Sequence, residues 1–277
     1  MRPFRLMKTS EERAFTGDRR MAYRQKNYTY NSSLTKDENL LLDRLFKLKL
    51  SHMAEELERQ FLNPNSDLEP FQTRIASLIN YEWDQRQTTK FNKLKNKATL
   101  KYPEADFDEA IYEPDRLLDT HTIELLQKCT WISEARNLLI TGSAGAGKTH
   151  IANALCIAAL HQLRSVKYIR ANRLLQESEK ARCEGNAYDY TNHMAAYDLL
   201  VIDDFGLMDL DMGKCRDLFE ILETRDSRKS TMIVSQLPVI KWWDLFQDST
   251  YADACLSRIT SKAYRLECNG RDMRKPK

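Results

Sequence analysis

Apolar positions change period about halfway along this chain of 277 residues. In the first half they recur at helical spacing. Thr35 and Glu38 form a T-x-x-E capping box ahead of Leu41, Leu45 and Leu48, and an adjoining row carries Leu42, Phe46, Leu50, Met53, Leu57 and Phe61. One helix is predicted there, broken by Asn63-Pro64-Asn65-Ser66-Asp67. A second begins near Pro70, with Phe71, Ile75, Leu78 and Ile79 on one face. It continues through Trp83 toward Lys101, where Pro103 stops it. From Asn137 the pattern becomes short apolar runs alternating with longer amphipathic stretches. Strands are predicted at 137–141, 166–170, 199–202, 231–235 and 263–266, and helices at 148–163, 172–183, 211–228 and around 240–258. That alternation implies an α/β domain, with a mostly parallel sheet covered on both faces.

The predicted organisation is a basic flexible tail (1–33), a small helical unit that meets DNA or a partner (34–102), an acidic linker docking on the core (103–136) and an ATPase domain (137–277). Trp131 and Ile132 are expected to pack ahead of the first strand. Net charge is only +3, but it is unevenly placed. Residues 1–33 carry eight Lys/Arg against three Asp/Glu, and 84–101 carry six against Asp84 alone. Residues 103–124 invert the sign, with eight acids against Arg116. A basic front joined to a less basic remainder places a polyanion surface in the first third. The same runs also fit solvated helix faces. The six cysteines, at 129, 156, 183, 215, 255 and 268, form no C-x-x-C pair, so reduced thiols in a cytoplasmic protein are expected and a zinc site is not. No apolar run spans a membrane, and the polar, basic start is unlike a secretory signal.

The candidate chemistry begins at Gly142, Ser143, Ala144, Gly145, Ala146, Gly147, Lys148 and Thr149. These residues follow the apolar run Leu138-Leu139-Ile140 and precede a helical pattern. This is a P-loop in its required strand–loop–helix context. Its backbone N–H groups cradle phosphates, Lys148 reaches the β/γ-phosphates, and the Thr149 hydroxyl holds Mg²⁺. The run Leu199-Leu200-Val201-Ile202 ends in Asp203 and Asp204. Asp203 is the expected Mg²⁺-site carboxylate. Asp204, one residue on and so on the other face of the strand, is the expected general base for the attacking water. Thr231-Met232-Ile233-Val234 ends in Ser235 and Gln236, which would face the γ-phosphate if this strand lies between the other two. Arg258, before the last strand, suits an arginine finger, and nothing in the spacing says whose nucleotide it reaches.

The segments GSAGAGKTHIANAL, LLVIDDFG, STMIVSQLPVIKWW, YADACLSRI and GRDMRK, in this order, resemble the IstB-type helper ATPases of bacterial insertion sequences. These are AAA+ proteins related to the DnaC helicase loaders. LKLSHMAEELERQFLNP followed by RIASLINYEWDQRQ resembles that family's N-terminal domain, so the likeness runs from about residue 34 onward. It implies ATP on 142–149, with His150 beside it, and Mg²⁺ near Thr149 and Asp203. It makes Asp204 the base where many AAA+ proteins use Glu, which suggests slow hydrolysis. It makes Ser235 and Gln236 the first sensor, and Arg258 a finger acting in trans between subunits of a homo-oligomer. Only residues 267–277 follow the last predicted strand, too few for a full C-terminal lid, and Arg274 is the candidate second sensor. The function implied is ATP-dependent assembly on duplex DNA, largely independent of sequence, that assists a transposase in target choice. A helicase loader, or a nucleotide-gated DNA scaffold with little hydrolysis, remain open beside it. A small-molecule kinase leaves the basic helical front unexplained.

Overall fold

The computed structural model describes residues 28–107, 118–268, 270, 272 and 273. The chain divides into two compact units, with the break between Arg86 and Gln87. That break falls inside one long helix and not in the acidic segment.

The first unit contains α1 (Lys36–Lys47), α2 (Ser51–Leu62), a 3₁₀ turn (Ser66–Leu68) and the first half of α3 (Phe71–Ala98). Thr35 and Glu38 form the predicted capping box at the start of α1. The single helix expected from Thr35 to Phe61 is two helices. Lys49 adopts φ +61 and turns the chain between them. Leu34, Leu42 and Ala54 are buried at the centre, with Tyr28, Phe46, Leu57 and Phe61 packed around them. Residues 28–33, expected in the tail, belong to this unit: the Tyr28 hydroxyl and the Asn31 N–H both donate to the Asn39 carboxamide oxygen. Residues 1–27 lie outside the described residues. The α2 amino end has no capping side chain of its own. The buried Glu82 carboxylate on α3 supplies it instead, accepting from the His52 and Met53 N–H groups at 3.0 and 2.9 Å. The apolar face predicted for α3 is largely exposed. Leu78 is buried, but Phe71 and Ile79 are 72% and 53% exposed.

The second unit is a five-stranded sheet of β1 (Leu138–Gly142), β2 (Val166–Arg170), β3 (Leu199–Phe205), β4 (Ser230–Ser235) and β5 (Tyr264–Cys268), in the order β2-β3-β4-β1-β5. All four pairings are parallel. Parallel strands need crossovers, and helices supply them. One face is covered by α6 (Lys148–His161) with α4 (Thr120–Gln127) and α5 (Thr130–Ser133), the other by α7 (Ala171–Cys183), α8 (Ala187–Ala195), α9 (Met212–Arg225) and α10 (Ser249–Thr260). Trp131 and Ile132 are buried in the first of these layers, as expected. The helix expected around 240–258 starts later, after two 3₁₀ turns, and α8 was not foreseen.

Two polar side chains knit the end of the sheet where the strands begin. Arg225 is buried and donates to the carbonyls of Met194, Ala195, Tyr197 and Ser230 and to the Thr231 hydroxyl. Asn137 donates to the Arg258 and Ile259 carbonyls at the end of α10, and its carboxamide oxygen accepts from the Thr231 N–H. Among the described residues, no helix is long and apolar enough to cross a membrane.

Candidate nucleotide site

At the other end of the sheet, where β1, β3 and β4 terminate, lies a cavity of about 250 Å³. Ligands bind parallel α/β sheets at this edge, because the connecting loops and helix amino ends open there. The loop after β1 wraps the amino end of α6. Gly142 has φ +144, and a Cβ there would overlap the Cys268 carbonyl on β5. Gly145 has φ +78 and lies against the Asp272 carboxylate, while its carbonyl accepts from the Met273 N–H at 2.9 Å. Both positions need glycine for backbone conformation and for close approach. Ala146 is buried in the curl, its N–H bonded to the Ser143 carbonyl. Lys148 is the first residue of α6. Its ammonium donates to the Gly142 and Ser143 carbonyls at 2.8 and 2.7 Å, folded onto the loop whose phosphates it would meet. Ala144, Gly145, Gly147, Lys148, Thr149 and His150 all line the cavity.

β3 brings the carboxylates. The Thr149 hydroxyl donates to Asp203 Oδ2 at 3.0 Å. The Tyr168 hydroxyl, on neighbouring β2, donates to the same oxygen, and the Asp204 N–H donates to Oδ1 at 2.7 Å. Burial and the Asp203 charge push the Tyr168 hydroxyl pKa up, so it stays a donor. Asp203 is only 2% exposed, and its donors Thr149, Tyr168 and the Asp204 N–H are neutral groups. A hydroxyl and a carboxylate are hard oxygen ligands, so Thr149 and Asp203 fit Mg²⁺.

Strand alternation would send Asp204 away from this cavity. It does not, because the β3–β4 register shifts between Ile202 and Phe205, and Asp204 takes φ +57. The irregularity re-aims the side chain. Asp203 and Asp204 therefore line the same space, while Asp204 Oδ2 also lies 3.5 Å from Arg170 Nε.

β4 lies between β1 and β3, the order under which its last residues face the phosphates. Gln236 lines the cavity from an exposed position. Ser235 lines it too, but its buried hydroxyl donates to the Phe205 carbonyl and accepts from the Leu237 N–H. That hydroxyl fixes the corner that presents Gln236.

Arg258 does not line the cavity. Its guanidinium pairs with Glu223, donates to the Ala254 carbonyl at 2.8 Å and lies 4.8 Å over the Phe219 ring. Its carbonyl is bonded to Asn137, at the start of β1, so the length of that strand, about 15 Å, separates it from the phosphate loop. Arg274 lies outside the described residues.

Four neighbours of the site escaped the sequence reading. Lys101 and Tyr102 line the cavity, and their N–H groups both donate to the Asn153 carboxamide oxygen. Asn153 is fully buried on α6 and also donates to the Thr149 carbonyl. A lone amide among the apolar residues after the P-loop was its signal. Tyr168 had none, because an aromatic in a buried strand reads as core.

The family model described as IstB-like ATP binding protein matches residues 43–277. An insertion sequence ATP-binding protein of Sinorhizobium fredii is 35% identical over 234 residues, 84% of this chain and 94% of that relative. The IS1162 ATP-binding protein of Pseudomonas fluorescens is 35% identical over 197 residues, 71% of this chain and 85% of the relative. Among solved structures, the DnaC helicase loader superposes with a TM-score of 0.53 at 21% identity, covering 61% of this chain and 98% of that one. That likeness is one of fold, the AAA+ P-loop domain. The loop, the buried carboxylate facing Thr149 and the extent of these matches lead to one assignment: the chain belongs to the IstB-like ATP binding protein family of insertion sequences.

Proposed function

We propose that this protein is an ATPase that assembles on duplex DNA and assists a transposase in choosing its target. One observation carries the enzymatic part. Thr149, Asp203, Asp204 and Gln236, from three different strand ends, line a single cavity, whereas Arg258 sits at the opposite end of β1. Among the described residues no arginine lines this cavity, which holds a phosphate cradle and a carboxylate for water, and a neighbour's Arg258 would supply the finger.

Within the subunit, the N–H groups of 143–149 and the amino end of α6 hold the phosphate chain, and Lys148 turns from the loop carbonyls onto it. Thr149 and Asp203 would hold Mg²⁺, whose charge offsets that building on the transferred phosphoryl group. Tyr168 keeps Asp203 oriented. Asp204 accepts the proton of the attacking water, and Gln236 orients that water. Asp in place of Glu shortens the reach by one methylene, and turnover is correspondingly slow. Arg258 of the adjoining subunit completes the charge balance, which makes hydrolysis depend on assembly.

The DNA part rests on the names of the relatives, which are insertion sequence proteins, and on the basic run at 84–101. Such contacts go to the phosphate backbone and are salt-sensitive. Mass measurement of the protein alone, with ATP, and with ATP plus a duplex of about 50 base pairs, roughly five turns, tests the whole reading. A large species that needs both ATP and duplex is expected. A protein that remains monomeric under all conditions and hydrolyses ATP at an undiminished rate would overturn it. Assembly only with a replicative helicase would replace it by the loader reading.

A further inference from the structure

The chain does not leave the nucleotide site where β5 ends. Gly142 stands opposite Cys268 in the β1–β5 register, and the Cys268 carbonyl fills the space where a Gly142 side chain would begin. Further on, the Met273 N–H donates to the Gly145 carbonyl at 2.9 Å, and Met273 lines the nucleotide cavity. The end of β5 and Met273 thus both lie against the phosphate loop. Just before Met273 comes Asp272, half-buried, its carboxylate crowding the place where a Cβ on Gly145 would stand. The carboxylate lies against the loop backbone and is not part of the cavity lining. It would act on a bound phosphate chain through its charge and not as a ligand.

The other two acids of the site stand differently. Asp203 and Asp204 enter from the end of β3, where the Thr149 hydroxyl donates to Asp203. A divalent cation held there comes between carboxylate and phosphate and turns repulsion into attraction. Asp272 comes to the loop beyond the end of β5, at Gly145, and is not among the groups bonded to Asp203. Its charge meets the phosphate chain without that mediation. Repulsion between like charges grows with the charge of the ligand. A divalent cation cancels roughly half the charge of a triphosphate and relieves the repulsion in proportion. A repulsive group set against the wrong ligand is a general source of specificity.

We propose that Asp272 is a specificity-determining residue of the nucleotide site: held against the phosphate loop beside the Met273–Gly145 hydrogen bond, its carboxylate makes the site take a triphosphate with its divalent cation in preference to the free polyanion. The inference rests on the reading of residues 142–149 as the nucleotide site. It adds a selection by ligand charge, made from the far side of the loop.

The test uses the full chain, a non-hydrolysable ATP analogue and ADP, with affinities measured by calorimetry in Mg²⁺ and in EDTA. Asp272→Asn keeps the shape of the side chain and the Met273 clip. It is expected to bind the analogue about tenfold more tightly in EDTA and no more than about threefold more tightly in Mg²⁺, so that the preference for the cation-bound form shrinks. The gain in EDTA should be smaller for ADP, which carries less charge, and should fade as salt rises from about 0.05 to about 0.5 M. Asp272→Glu keeps the charge and should retain the wild-type ratio of the two affinities. An Asp272→Asn protein with the wild-type ratio overturns the proposal. So does equal tightening in both conditions, which would mark a change in the loop and not a selection by charge, and so does weaker binding in both. In each of these cases the wild type still binds and the nucleotide site stands. A wild type that binds neither nucleotide in either condition removes the site reading itself, and this inference with it.

Discussion

Thr149 and Asp203, 54 positions apart in the chain, meet at 3.0 Å on a carboxylate oxygen that also accepts from Tyr168. The pair joins the loop after β1 to the end of β3, and it is where a divalent cation would be shared between nucleotide and protein. Thr149→Ala removes a ligand while leaving Asp203 held by Tyr168. Its nucleotide affinity should fall sharply in Mg²⁺ yet change little in EDTA. Titration of a fluorescent ATP analogue under both conditions reads the difference; equal losses in the two would count against a shared cation.

Lys148→Ala should reduce steady-state hydrolysis by about a hundredfold or more, the scale of losing a cation aimed at developing phosphate charge. Its ammonium is bonded to loop carbonyls that tolerate exposure, so the fold should persist. Circular dichroism and phosphate release together check this, and unchanged turnover would sink the assignment of the loop.

Arg258→Ala should leave ATP affinity near that of the wild type but lower both hydrolysis and ATP-dependent assembly. The guanidinium touches Glu223, Phe219 and the Ala254 carbonyl, all far from the cavity of its own subunit. Mixing this variant with Lys148→Ala subunits gives a sharper reading. If the finger works between subunits, the mixture recovers activity that neither variant has alone.

Acid should weaken the second unit through Asp198. Burial alone would raise this carboxyl, but hydrogen bonds from Lys229 and from the Ser165 N–H and hydroxyl outweigh that and hold it at about 2. Its folded pKa lies below its unfolded one. The stabilisation is therefore complete above the unfolded value of about 4 and is lost as pH falls toward about 2. Urea midpoints of wild type and Asp198→Asn should differ at neutral pH and converge as pH drops through that window.

Arg225→Ala should destabilise the fold by about 3 kcal/mol or more, since it leaves several buried acceptors without a donor. Thermal unfolding measures it. A loss well under ~1 kcal/mol would mean water replaces the guanidinium without cost.

The central strands β1, β3 and β4 were legible because a parallel sheet buries both their faces and each became an apolar run, while the edge strands β2 and β5 carry charged residues among the apolar ones. The predicted strand at 199–202 ends short of Phe205 because Asp203 and Asp204 read as a terminus, whereas the strand continues through an irregularity that polar residues disguise. α8 was missed because its Tyr, Asp, Thr and Asn residues favour no helix on their own. It is held by packing on α7 and α9. The phosphate side of the site was legible because P-loop chemistry demands fixed spacing. Tyr168, Lys101 and Arg170 were not, because their roles come from strand order and from the path of residues 98–102, neither of which leaves a local pattern. Ser235 was legible as a position, while its service to the turn came only from its bonds to Phe205 and Leu237.

Asn137 has a mechanical consequence. One carboxamide grips the last turn of α10 and the first residues of β4, and its own backbone leads straight into β1. Helix end and phosphate loop thus lie at the two ends of one strand. A change in the backbone at Arg258 therefore bears on the same residue that leads, five positions on, to Gly142.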